Sequence, residues 1–127
     1  MLYKFDFSFL LEKWPAFLNG AWLTIQLTVF SIVLGFVLGT LCAVARVYGG
    51  RPLRLLVGGY VELIRNTPLL VQIFIVYFGL SSVGLKLSAE TSAVIALVVN
   101  MGAYTTEIMR AGIQSIHRTQ LEAADCL

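Results

Sequence analysis

Charge is what this sequence has least of. Of its 127 residues 9 are Lys or Arg and 7 are Asp or Glu, together 13%, against 58% hydrophobic residues, where a soluble domain carries about a quarter charged residues. With a mean hydropathy of +0.85, this balance excludes an ordinary soluble fold and points to a chain whose solvent is largely lipid. A formal net charge of +2 with no run of Lys or Arg leaves no electrostatic footprint for nucleic acid. Cysteine is scarce too: Cys42 and Cys126 share no local spacing and have no histidine partner at metal-ligand distance, so neither a disulfide nor a metal site is expected. The single histidine, His117, stands on a polar stretch and reads as a solvated side chain. No Gly-x-x-x-x-Gly-Lys-Ser/Thr loop occurs, so the chain cannot cradle nucleotide phosphates by that device and no cofactor is expected. No nucleophile, base and orienting group fall together, which makes an enzyme the least favoured class.

What is present is a series of apolar segments separated by short polar ones. Residues 1–20 mix aromatics with Lys4, Asp6, Glu12 and Lys13, and Trp14-Pro15 interrupts a helix, which predicts an extracytoplasmic segment lying at the membrane surface. Ala21 to Ala45 carries no charged residue. At 1.5 Å per residue it is long enough to cross a hydrocarbon core of about 30 Å, and it exceeds the roughly 7–15 residues of a signal-peptide core. Within it Ser31, Gly35, Gly39 and Ala43 recur every four residues, either as a ridge for close helix approach or as glycine merely tolerated in a membrane.

A turn holding Gly49, Gly50 and Pro52 with Arg46, Arg51 and Arg54 follows. A second spanning helix is predicted over about residues 55–80. The uninterrupted apolar run from Leu69 to Leu80 is too short to span, so this helix must begin earlier and include Glu62 and Arg65. These two lie three apart and can pair with each other, while Pro68 should kink the helix by removing a hydrogen bond near Ile64. A polar turn over residues 81–90 leads to a third span over about 90–112, where Glu107 and Arg110 repeat the same spacing. Six arginines (46, 51, 54, 65, 110 and 118) flank one side of these spans and three lysines (4, 13 and 86) the other. The excess marks the arginine side as cytoplasmic and puts the N-terminus outside. Residues 113–127 then start a cytoplasmic element, in which Thr119 and Glu122 fit a capping box.

At these residues the chain resembles, along its whole length, the permease subunits of polar amino-acid ABC importers of the histidine/glutamine permease type. The resemblance is carried by Leu18-Asn19-Gly20 with Thr24-Ile25-Gln26-Leu27-Thr28, and by Glu62-Leu63-Ile64-Arg65-Asn66-Thr67-Pro68-Leu69-Leu70-Val71-Gln72 with Tyr77-Phe78-Gly79. It continues through Gly102-Ala103-Tyr104-Thr105-Thr106-Glu107-Ile108-Met109-Arg110-Ala111-Gly112-Ile113-Gln114-Ser115-Ile116 into Glu122-Ala123-Ala124. It departs at His117 and Thr119, where many members have Pro and Gly, and the sequence stops after Leu127, where the Gly of their EAA loop would come next. The resemblance implies an all-α inner-membrane protein carrying three transmembrane helices of a five-helix core. In these terms residues 1–127 form a single incomplete permease domain. It further implies a second permease subunit (identical or homologous), a cytosolic ABC ATPase that binds the ATP, and an extracytoplasmic amino-acid-binding protein. Thr119, Glu122, Ala123 and Ala124 would form the ATPase-coupling helix.

An amino-acid zwitterion crossing a bilayer needs donors for its carboxylate and acceptors for its ammonium. Glu62, Arg65, Gln72, Asn100 and Glu107 are the available groups for such a path. The plainer account has the charged residues pairing within their own helices near the inner interface, and Gln72 and Asn100 bonding across helices. Two other function classes stay open: a truncated remnant or non-transporting scaffold subunit, and a secondary transporter without an ATPase.

Overall fold

The computed structural model describes residues 13–117 together with 119, 120, 122 and 126; among these the chain is all helical. The first helix, α1, runs Trp14–Tyr48. It is longer at both ends than the span expected over 21–45, and Pro15 does not interrupt it. A proline in the first turn removes an N–H that has no intrahelical partner there, and its fixed φ suits the helix, so Trp14-Pro15 is a start and not a break. Of the expected surface segment, residues 14–20 therefore belong to α1, and residues 1–12 lie outside the described residues. At its far end the Gly49 amide bonds the Ala45 carbonyl at 2.9 Å. Pro52 then opens α2, Arg51–Arg65.

The second span differs most from the sequence expectation. It is broken, not kinked: α2 stops at Arg65, and α3, Leu69–Ser82, leaves it at a bend of 108°. Pro68, in extended conformation with φ −57° and ψ 139°, caps the new helix. Its missing N–H ends the ladder of α2, and its ring disfavours a helical Thr67 before it. Within α3, Ile75–Gly79 forms a π-helical turn. Gly84, at φ +92°, then reverses the chain, a conformation few residues other than glycine adopt readily. The last long helix, α4, runs Ala89–Gln114 and is capped by Ser88, whose hydroxyl accepts from the Thr91 amide at 3.1 Å. Among the described residues two helices, α1 and α4, are long and apolar enough to cross a membrane; the bent pair makes a third if it is counted as one span.

The small-residue ridge is what holds α1 to α4. Ser31, Gly35, Gly39 and Ala43 are the buried residues of α1, and among the buried residues of α4 Gly102, Thr105 and Thr106 lie against Gly39. Gly35 lies against Val98 and Met101, and Gly39 against Gly102 and Thr105, so the two helices run parallel. The Thr106 hydroxyl is 2.7 Å from the Gly102 carbonyl and 3.3 Å from that of Gly39, a polar contact spanning the crossing. In lipid, where apolar side chains gain little by leaving the solvent, close backbone approach and such bonds supply the packing energy. A smaller apolar cluster of Val57, Val61 and Ala103, with Cys42, Ala45, Tyr60 and Ile64, seats α2 on both. The Tyr60 hydroxyl donates to the Val99 carbonyl at 2.6 Å.

Candidate functional site

Where the C-terminal part of α1, one face of α2 and the C-terminal half of α4 meet, they leave a groove of about 510 Å³. Its lining is Arg46, Gly58, Val61, Glu62, Arg65, Asn66, Tyr104 and Glu107. Gly58 leaves open space, since a Cβ there would meet only the Arg46 guanidinium, 3.9 Å away.

The charges are arranged across elements. Glu107 takes Arg110 of its own helix at 2.8 Å, and it also takes Arg46 from the last turn of α1. Arg110 extends the chain of contacts to Gln114 at 2.6 Å. The side chains of Arg46, Glu107 and Arg110 are 20% to 30% exposed, enough to weaken the ion pairs without dissolving them. Glu62 and Arg65, expected to pair along α2, form no ion pair among the described residues. Arg65 instead lies over the Tyr104 ring, 5.4 Å from its centroid, a cation–π contact to α4. Three-residue spacing permits an ion pair, but a planar guanidinium gains more from an aromatic face on a neighbouring helix than from an exposed carboxylate on its own.

The five residues expected along a path thus divide. Glu62, Arg65 and Glu107 face one groove and place both signs of charge around it. Gln72 and Asn100 lie elsewhere and bond each other, Asn100 Nδ2 donating to Gln72 Oε1 at 3.3 Å. Gln72 also donates twice to the broken backbone, at 2.8 Å each to the carbonyls of Ile64 and Thr67. Sequence reasoning missed Arg46 and Tyr104. The count of flanking charges gives Arg46 only a cytoplasmic position, although an arginine in the last turn of a long apolar helix can reach into the interior. Tyr104 had one signal, its position three residues before Glu107 on the same face.

Of the residues expected to form a coupling helix, Thr119 and Glu122 are helical and exposed, and the Gln120 amide bonds the His117 carbonyl at 3.0 Å. Ala123 and Ala124 lie outside the described residues.

Residues 32–127 match the family described as the binding-protein-dependent transport system inner membrane component. The chain is 44% identical over 110 residues to an L-cystine transport system permease protein, TcyB, of Bacillus subtilis, covering 87% of this chain and 47% of that protein. It is 39% identical over 117 residues to a probable glutamine ABC transporter permease protein, GlnM, of the same organism, with 92% and 54% covered. To the nopaline transport system permease protein NocM of Agrobacterium fabrum it is 40% identical over 129 residues, with 94% and 54% covered. In three dimensions it matches the crystal structure of an amino acid ABC transporter with histidines at a TM-score of 0.89 and 37% identity, covering 98% of this chain and 58% of that one. The chain spans about half the length of the curated relatives it matches.

Proposed function

Because the chain belongs to the family of binding-protein-dependent transport system inner membrane components, we propose that it supplies the first helices of the translocation path in an ATP-driven importer of polar amino acids. The observation that carries this reading is the groove between α1, α2 and α4. It presents the Glu62 carboxylate and the Arg65 guanidinium together, the two signs a zwitterion requires, in a volume suited to a small solute. The permease relatives bear names with cystine, glutamine and nopaline, which supports an amino acid or a close derivative as cargo. In this reading Glu107, held between Arg46 and Arg110, keeps the inner end of the groove structured, and α4 carries motion to the helix at Thr119 and Glu122. A cytosolic ATPase binds that helix and the ATP. A second permease subunit completes the path, and an extracytoplasmic binding protein delivers the cargo.

The test is ATP-dependent uptake by the full-length chain assembled with its ATPase and binding protein in proteoliposomes, offered radiolabelled cystine, glutamine and arginine in turn. Uptake of at least one is expected, and Glu107→Gln should reduce it about tenfold, the effect of about 1.4 kcal/mol, with the complex still assembled. An assembled wild-type complex that takes up no amino acid would sink the reading in favour of a scaffold subunit.

A further inference from the structure

Gln72 is buried, 6% exposed, and its side-chain amide bonds three partners. In an unbroken helix the amide of residue 68 would bond the carbonyl of residue 64, but proline has no N–H to give. The Ile64 carbonyl keeps only a tightened bond from the Thr67 amide, at 3.3 Å, and the Gln72 side chain adds the donor at the break: its two amide hydrogens go to the Ile64 and Thr67 carbonyls, 2.8 Å from each. Broken backbone at membrane depth persists only where such groups find partners. The remaining Gln72 oxygen accepts from Asn100 of α4. Asn100, Tyr104 and Glu107 are spaced four and three residues apart, hence on one stripe of α4. Along that stripe lie the contact to Gln72, the Arg65 cation–π contact and the Arg46 ion pair.

We propose that Gln72 is a positioning residue, not a lining of the path. By standing in for the donor that Pro68 lacks it sets the angle between α2 and α3, and through Asn100 it sets where the end of α2, with Glu62 and Arg65, meets α4. Its consequence for transport rests on the permease reading; its consequence for the angle does not.

The test uses the full-length chain in the assembled complex in nanodiscs, with Cys42→Ala and Cys126→Ala. Spin labels go on Leu63→Cys and Phe78→Cys, exposed positions on either side of the break. The wild-type break should give one narrow separation. Gln72→Leu should lose it, spreading into several populations. Adding Pro68→Ala to Gln72→Leu should restore a single population at a longer separation, because residue 68 then supplies the four-residue helical bond to Ile64 and the helix straightens. An unchanged distribution in Gln72→Leu, or no narrowing on adding Pro68→Ala, overturns the proposal. If Gln72→Leu does not assemble, the near-isosteric Gln72→Glu decides it with the same labels: a carboxylate cannot donate to the two carbonyls, so broadening supports the proposal and an unchanged distribution overturns it. For transport, Asn100→Leu should raise the cargo concentration for half-maximal uptake about threefold to tenfold, the worth of one interhelical bond, with assembled amount and ATP hydrolysis unchanged. A loss confined to the assembled amount would mean packing alone and overturn the positioning role. Wild type without uptake sinks the permease reading only, since the label separations still decide the role of Gln72.

Discussion

At the scale of single residues, the α1–α4 crossing depends on what is missing from Gly39. A Cβ there would lie 2.5 Å from Thr105 Cβ and 2.8 Å from the Gly102 carbonyl, whereas a Cβ on Gly20 would meet nothing within 4 Å. Both glycines sit in the same helix, so the helix-propensity gain on changing either to alanine is comparable, and only the packing differs. Gly39→Ala should destabilise the protein by about 1–3 kcal/mol, the cost of overpacking a closed contact, while Gly20→Ala stays neutral or slightly stabilising. Thermal unfolding of the purified full-length protein in detergent compares them directly, and equal midpoints would refute the crossing. The same geometry explains why the four-residue recurrence of small residues was readable in advance while its partner was not. Ser31 to Ala43 advertise a close approach, but Thr105 and Gly102 become the other wall only once α4 lies alongside.

At the scale of elements, ends and breaks follow local chemistry. Pro15 and Pro68 show how one residue type produces opposite results: at the first turn of α1 its missing donor is harmless, whereas between α2 and α3 it removes the donor that would continue the ladder past Ile64, and the chain turns by 108°. A sequence reading weighs proline by its neighbours and so finds where the break falls. How far the chain bends there is set by what accepts and donates around it, here Gln72. The start of α4 is a simpler case, held by the Ser88 hydroxyl on the Thr91 amide. Ser88→Ala should cost about 1 kcal/mol and speed amide exchange at the first turn of α4, leaving the middle of that helix unchanged. Exchange that rises equally along the whole of α4 would show that the cap is not the local anchor.

At the scale of the molecule, the charge rule, applied to the arginines on one flank of the spans and the lysines on the other, predicts that the arginine side is cytoplasmic. In a background of Cys42→Ala and Cys126→Ala, Lys86→Cys in right-side-out vesicles should react with a membrane-impermeant maleimide, and Arg51→Cys should react only after the vesicles are opened. The reverse pattern would invert the proposed orientation and take the coupling role of Glu122 with it. The groove belongs to this scale as well, because no single helix contains it: it exists where Arg46, Arg65 and Glu107 converge from three elements.

Composition, the uncharged stretch from Ala21 to Ala45, the small-residue ridge and the site of the break were all determined by the sequence itself, because each depends on residues a few positions apart. The all-helical membrane class follows from the same local facts, since in lipid a backbone must satisfy its own hydrogen bonds. The choice of partners was decided only by tertiary structure. Arg46 reaches Glu107 across 61 positions, Arg65 turns from Glu62 to Tyr104, and Gln72 bonds both its own broken backbone and Asn100. A long polar side chain has several acceptable partners within reach, each worth about 1–2 kcal/mol. Such small differences are settled by which helix faces are brought together.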